Sequence, residues 1–263
     1  LLTTSHRIAR AVVFPLALLA ASTAGAADLP VPIPDETRQL VLVTSEGWDS
    51  TQGTLRTFER ADSGSTWVGA QPAIDVSLGR TGSAWGTGLH AAQAGGPRKV
   101  EGDGRSPAGV FDIAQAFGYA STADTGLTYQ AMDASDYCID VAASPLYNQI
   151  VDAREVGQAA VEGSTEPMRL DVHGKGDVRY RQGFVIRHNP GNTPRGGSCI
   201  FAHLWRTPGE ATAGCTAMAE PHMQHLLAWL RQDARPVFVL LPEAEYHRLR
   251  ASWRLPLIEE KAP

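Results

Sequence analysis

Apolar positions along this chain come in short runs, broken by clusters of glycine, aspartate and serine. Residues 39–44 are mostly apolar and predict a buried strand. Residues 54–60 alternate and predict a half-exposed one. Residues 65–68 and 74–78 continue the pattern. Residues 109–113, 168–172, 184–187, 199–203 and 236–241 add further strands. Short strands separated by turn-forming residues predict a mainly β, antiparallel body. Residues 79–109 are rich in glycine with little periodicity and read as loops packed on the sheets. One later segment has clear helical spacing: Met223, Leu226, Leu227 and Leu230 fall at i, i+3, i+4 and i+7 and share a face. Pro221 suits the first turn of that helix. Residues 243–253 predict a terminal surface helix.

The first residues follow a different pattern. His6, Arg7 and Arg10 give a basic start, and residues 11–21 are apolar but too short to span a bilayer. Ala24, Gly25 and Ala26 offer the small residues of a cleavage site. The expectation is a signal peptide over 1–26, with an uncleaved anchor as the alternative. A Pro-rich, extended lead-in follows over 28–37. No later stretch is apolar enough to cross a membrane, and there is no internal repeat or composition break. Residues 27–263 therefore read as a single domain.

Composition narrows the function. The 263 residues are 43% hydrophobic and 19% charged, as in a soluble globular protein. The formal net charge of −5 and the absence of a basic run argue against a nucleic-acid partner. No phosphate-binding glycine loop and no Gly-x-Ser-x-Gly elbow occurs. His222 and His225 sit three apart on the predicted helix, but the sequence supplies no third ligand, so they read as solvent-facing and no metal is expected. Glu101-Gly102-Asp103-Gly104 lacks the spaced acids of a calcium loop. No cofactor is called for.

The chemistry concentrates around Cys215. An apolar run delivers His203, a polar stretch follows, and Thr212-Ala213-Gly214-Cys215 forms a small-residue turn before the helix. A thiol attacks only as its thiolate, and a nearby histidine can take the proton and return it to a leaving group. Gly214 lets the backbone turn sharply. The amides of Gly214 and Cys215 are candidates to hold an oxyanion. The positive end of the following helix is a candidate to lower the thiol pKa if the intervening residues fold back. Thr212 and Ser198 either support the site or cap local backbone.

The order His203 … Thr212-Ala213-Gly214-Cys215 resembles the His … Ser/Thr-x-Gly-Cys signature of the YkuD-type L,D-transpeptidase family. Residues 99–111 and 184–189 add to the resemblance, which covers roughly 78–241. The resemblance implies a YkuD-like β-sandwich or mixed-sheet body, with a helix after the catalytic cysteine and a C-terminal helix. It implies a cell-envelope enzyme, periplasmic or secreted, acting on peptidoglycan stem peptides. Cys215 is then the nucleophile and His203 the base, with Gly214 and Thr212 at the catalytic turn. The reaction is cross-linking through a thioester, with L,D-carboxypeptidase action or a non-catalytic cell-wall binding module of the same fold as alternatives. Ala213 stands where many members have His, and Thr216-Ala217-Met218 where many have Arg or Asn.

Asn189, Ser198 and Arg206 are the substrate-binding candidates, Asn189 with a plain turn before Pro190 as its alternative reading. Arg187 and Arg195 join Arg206 as candidate carboxylate anchors. His173, followed by Gly174, superficially matches a family His-Gly pair and reads as a surface decoy. Three cysteines leave one over. The assignment is Cys138 with Cys199 and Cys215 free, against the alternative of two unpaired buried thiols.

Overall fold

The computed structural model describes residues 31–258, together with Leu2. The expected leader over 1–26 otherwise lies outside the described residues. The order of elements begins β1 (Gln39–Ser45), β2 (Gln52–Glu59), β3 (Val68–Ser77), β4 (Ser83–Trp85), β5 (Ser106–Gly118) and β6 (Tyr129–Ala131). A short segment follows with β7 (Asp136–Cys138), β8 (Ile150–Asp152), α1 (Ala153–Val156), β9 (Glu166–Pro167) and α2 (Leu170–His173). The chain ends with β10 (Gln182–Ile186), β11 (Phe201–Leu204), β12 (Thr216–Met218), α3 (Glu220–Trp229), β13 (Val237–Pro242) and α4 (Glu243–Leu249).

The body is mainly β, and of the two expected forms it is the mixed sheet rather than the sandwich. Its strands run β10-β11-β12-β3-β2-β1-β13-β5, and β5 pairs back onto β10, so the sheet closes on itself. Closure removes the free edges that an open sheet must protect. Nor is the sheet antiparallel throughout. The pairs β1–β13, β11–β12, β4–β5 and β5–β6 are parallel. β1 and β13 are buried along their whole length, which accounts for their unbroken apolar sequence. The long β5 serves several neighbours in turn: β4 at its start, β13 in the middle, then β10 and β6 toward its end.

Other expectations need correction. Residues 168–172 do not form a strand. β9 ends at Pro167, Met168 is buried in the link that follows, and the single turn of α2 buries Leu170 and leaves Val172 55% exposed. Alternation would have turned all three the same way. The glycine-rich 79–109 segment contains β4. Of the stretch expected at 65–68 only Val68 is in a strand; it starts β3, which runs on through 74–77. α4 stops at Leu249, and Trp253 beyond it is buried in the core. The helix α3 forms as expected, burying Met223, Leu226 and Leu227. No described helix is long and apolar enough to cross a membrane.

β7, β8 and β9 make a small sheet of their own, in the order β8-β7-β9. A second apolar cluster, including Phe117, Met168, Tyr180 and Phe201, joins this region to the barrel. A Cys138–Cys199 disulfide, with Cα atoms 5.9 Å apart, ties β7 to the residue two before β11. It closes a separation of 61 residues, for which the chain-entropy argument gives roughly 4 kcal/mol of stabilisation. In a Cys215→Ala background, which removes thiol exchange, reductant should therefore lower unfolding stability by about 2–4 kcal/mol in urea titrations. An unchanged midpoint with the bridge demonstrably reduced would show that the crosslink does not stabilise the fold.

Candidate active site

Strand pairing sets the geometry. β11 and β12 lie side by side in parallel, with Ala202 opposite Thr216 and His203 opposite Ala217. Alternation sends Ile200, Ala202 and Leu204 into the barrel core. Phe201 and His203 face the other way, toward the second cluster, where Tyr180 packs edge-on against both rings. Cys215 immediately precedes β12, and its sulfur accepts the Phe201 N–H at 3.3 Å. Its thiol donates to the Cys199 carbonyl at 3.5 Å. Both burial patterns follow from β11 having apolar groups on its two faces.

The turn before β12 is fastened by two hydroxyls. Thr212 Oγ1 donates to the Cys215 carbonyl at 2.6 Å and accepts the Gly214 N–H at 3.0 Å. Ser106, at the start of β5, donates to the same carbonyl at 3.0 Å. Gly214 has φ +151°, and a Cβ there would lie 3.0 Å from the Arg105 carbonyl oxygen. Both facts favour glycine. The Gly214 N–H is thus taken up by Thr212, so the expected two-amide oxyanion site is reduced to one. The Cys215 N–H has no acceptor among the described residues and is the available donor.

Cys215 and His203 line one cavity of about 390 Å³, together with Thr212, Gly214 and Ser198. The sulfur is free and buried. No hydrogen bond joins it to the imidazole. His203 Nδ1 lies 2.8 Å from the Leu204 carbonyl, which can only accept, so Nδ1 carries the proton. Nε2 then holds the lone pair, as a general base requires. Burial pushes the His203 imidazole down to about 4. It pushes the Cys215 thiol up to about 12, and the charge of Glu166 adds to that shift. The resting pair is therefore neutral thiol and neutral imidazole. The helix does not offset this, because β12 and the extended Ala219 separate Cys215 from the start of α3 by roughly 16 Å of chain.

The remaining candidates divide. Ser198 lines the cavity and donates to Glu101 at 2.7 Å. Asn189 does not line it. Its side chain holds Thr193 and Gly197 backbone at a φ of +52°, a turn-forming role. Arg206 also lies off the cavity and pairs with Glu210. His188 is buried between Thr87 N–H and the Gly196 carbonyl. Exposed His173 bonds the Ala134 carbonyl. His222 and His225 line a separate apolar groove of about 650 Å³ between β2, β3 and α3, which lacks a nucleophile. Size therefore does not identify the site; its chemistry does. Sequence reasoning missed Ser106, Glu166, Arg179 and Tyr180. Ser106 lies within the 99–111 stretch, but the others sit in segments without periodicity.

No protein-family model, curated protein or solved structure matches this chain.

Two expectations follow from this geometry. Thr212→Val removes both bonds of one hydroxyl and should cost about 1–3 kcal/mol in chemical denaturation, whereas Thr212→Ser should retain most of it. Equal stability of all three proteins would remove the hydroxyl as the anchor of the turn. The second concerns protons. His203 has a depressed folded value, so its contribution to stability is present above 6.5 and lost as pH falls through about 4. Cys215 has a raised value, so its contribution is present below 9 and lost as pH rises toward about 12. NMR titration should find the His203 ring neutral down to about pH 4; a midpoint near 6.5 would contradict its burial.

Proposed function

We propose that this chain is a cell-envelope cysteine acyltransferase of the YkuD-type L,D-transpeptidase kind, with the corresponding fold and peptidoglycan stem peptides as substrate. The carrying observation is a free thiol and an imidazole with its Nδ1 proton fixed, both on one cavity wall. The Cys138–Cys199 bridge suits an oxidising compartment, and hence a periplasmic or secreted protein.

In this reading the Cys215 sulfur attacks the carbonyl of the L-centre residue that precedes a terminal D-amino acid. His203 Nε2 receives the thiol proton as the C–S bond forms, because the resting pair is neutral. The Cys215 N–H holds the oxyanion. The imidazolium returns the proton to the departing amine, and a thioester remains. An amine from a second stem peptide resolves it into a cross-link; water would make the same site a carboxypeptidase. Arg80 replaces Arg206 as the candidate anchor for the peptide carboxylate. It is exposed on the cavity wall and has no salt-bridge partner among the described residues.

One observation favours a second reading. A thiol raised to about 12 is what a non-catalytic cell-wall binding module with this fold would carry. Reactivity separates the two. Incubated with muropeptides, the wild-type protein should give cross-linked or trimmed products by mass spectrometry, and Cys215→Ala should fold but give none. The resemblance also implies a covalent carbapenem adduct on Cys215. An unmodified intact mass, with muropeptides bound but unchanged, would favour the binding module.

A further inference from the structure

The sheet closes at a thin seam. β12 meets β3 at one position, Ala217 opposite Ser77, while β3 pairs with β2 from Val68 to Ser77. Residues 68–76 therefore present an outer edge whose backbone makes no hydrogen bond beyond the ladder with β2 among the described residues. Most of that edge is exposed. An unpaired edge is a template for another strand. Pro72 interrupts it at the register shift between Leu55 and Thr57, so the template is two short ladders rather than one.

The apolar groove of about 650 Å³ runs between this edge and α3. Leu55 and Thr57 enter it from β2, Ala73 and Ile74 from β3, Leu226 and Trp229 from α3. Thr57 is 2% exposed, and its hydroxyl has no partner among the described residues. A buried hydroxyl without a hydrogen bond is costly, and a ligand group over it would offset that cost. A second pocket, of about 600 Å³, opens at the Val68 end of β3. Trp229 of the first and Glu59 of the second share a hydrogen bond of 2.7 Å, so the two adjoin. Three guanidiniums line the second pocket, Arg38, Arg60 and Arg231, against the one carboxylate of Glu59. Glu59 is already engaged by the Trp229 and Gln39 side chains. Arg38 and the buried Arg60 make hydrogen bonds to backbone carbonyls alone. Arg231 meets the exposed Asp233 at 3.3 Å, a pairing worth little in water.

We infer that this edge binds the C-terminal segment of a partner polypeptide as an added strand. Charge sets its direction. β3 runs from the arginine pocket toward β12, so an antiparallel strand ends beside Val68 and places its terminal carboxylate among the guanidiniums. A parallel strand would bring its terminal ammonium there and be repelled. The edge from Val68 to Ile74 holds about six residues at roughly 3.3 Å each, with alternate side chains entering the groove. Apolar ones fit Leu55, Ile74 and Leu226, and one that carries a hydroxyl satisfies Thr57. No residue of either pocket lines the cavity of Cys215, so the site is independent of the acyl-transfer reading.

The test uses the full chain carrying Cys215→Ala, which forbids turnover, and the fluorescein-labelled peptide Ser-Ile-Ser-Thr-Ser-Val with either a free carboxylate or a carboxamide end. Fluorescence anisotropy should show the free acid binding roughly 10- to 100-fold more tightly, the range for hydrogen bonds to a charged group. Arg231→Gln, at an exposed position, should weaken the acid several-fold and leave the amide unchanged. Hydrogen exchange of the amides in 69–76 should slow when the peptide is bound. Equal affinities of acid and amide, or an acid unaffected by Arg231→Gln, overturn the carboxylate end. Binding without protection of β3 overturns the added strand. No peptide binding up to roughly 1 mM overturns the whole inference. Dodecanoate binding in the peptide's stead, weakened by Arg231→Gln, would assign both pockets to a single-chain amphiphile and overturn it equally.

Discussion

A parallel strand pair needs a crossover, and the one between β11 and β12 is the stretch 205–215. Its path is held at several points by residues 77–80. Thr212 N–H donates to the Leu78 carbonyl, the Thr212 carbonyl accepts from Arg80, and Trp205 Nε1 donates to Ser77. With the crossover fixed, the Cys215 carbonyl is gripped by Thr212 and Ser106, and the sulfur falls on the face that carries Phe201 and His203. Residues far apart in the chain, at 77–80, 106 and 203, thereby define one position for one sulfur. Without that pairing, His203 and Cys215 would merely be near each other in sequence.

Burial then works against the chemistry it enables. Excluding water depresses the imidazole and raises the thiol, so neither group is charged at rest. A thiol in this state is protected from adventitious oxidation and alkylation, which act on the thiolate. In the acyl-transfer reading, activation would have to come from the substrate, through proton transfer concerted with attack. After burial, the charge of Glu166 is the next cause that raises the thiol.

Legibility in the sequence tracked how local each signal is. β1, β13 and α3 were readable because burial of a whole strand, or of one helix face, imposes a period on consecutive residues. The Cys215 turn was readable because a small-residue signature precedes it. Closure of the sheet was not, since pairing of β5 with β10 is a long-range event that leaves no period in either strand. The strand expected at 168–172 failed for a related reason: Met168 and Leu170 are buried by the second cluster rather than by a sheet face. Arg206 attracted attention by proximity to the cysteine in sequence, while Glu166, Arg179 and Tyr180 reach the cavity from a segment between β6 and β10 that carries no motif.

The disulfide connects these parts. In the small sheet Cys138 stands directly opposite Glu166, and the bridge ties Cys138 to Cys199, two residues before β11. Ser164 fastens the same strand by donating to the Cys138 carbonyl. The Cys199 carbonyl in turn accepts the Cys215 thiol. A chain of short, directional contacts therefore runs from the acid on β9, across the bridge, to the sulfur before β12. Small strands of two or three residues have little register of their own. A covalent link beside Glu166 supplies what the hydrogen-bond ladder is too short to provide, and fixes β7 and its partner β9 relative to the start of β11.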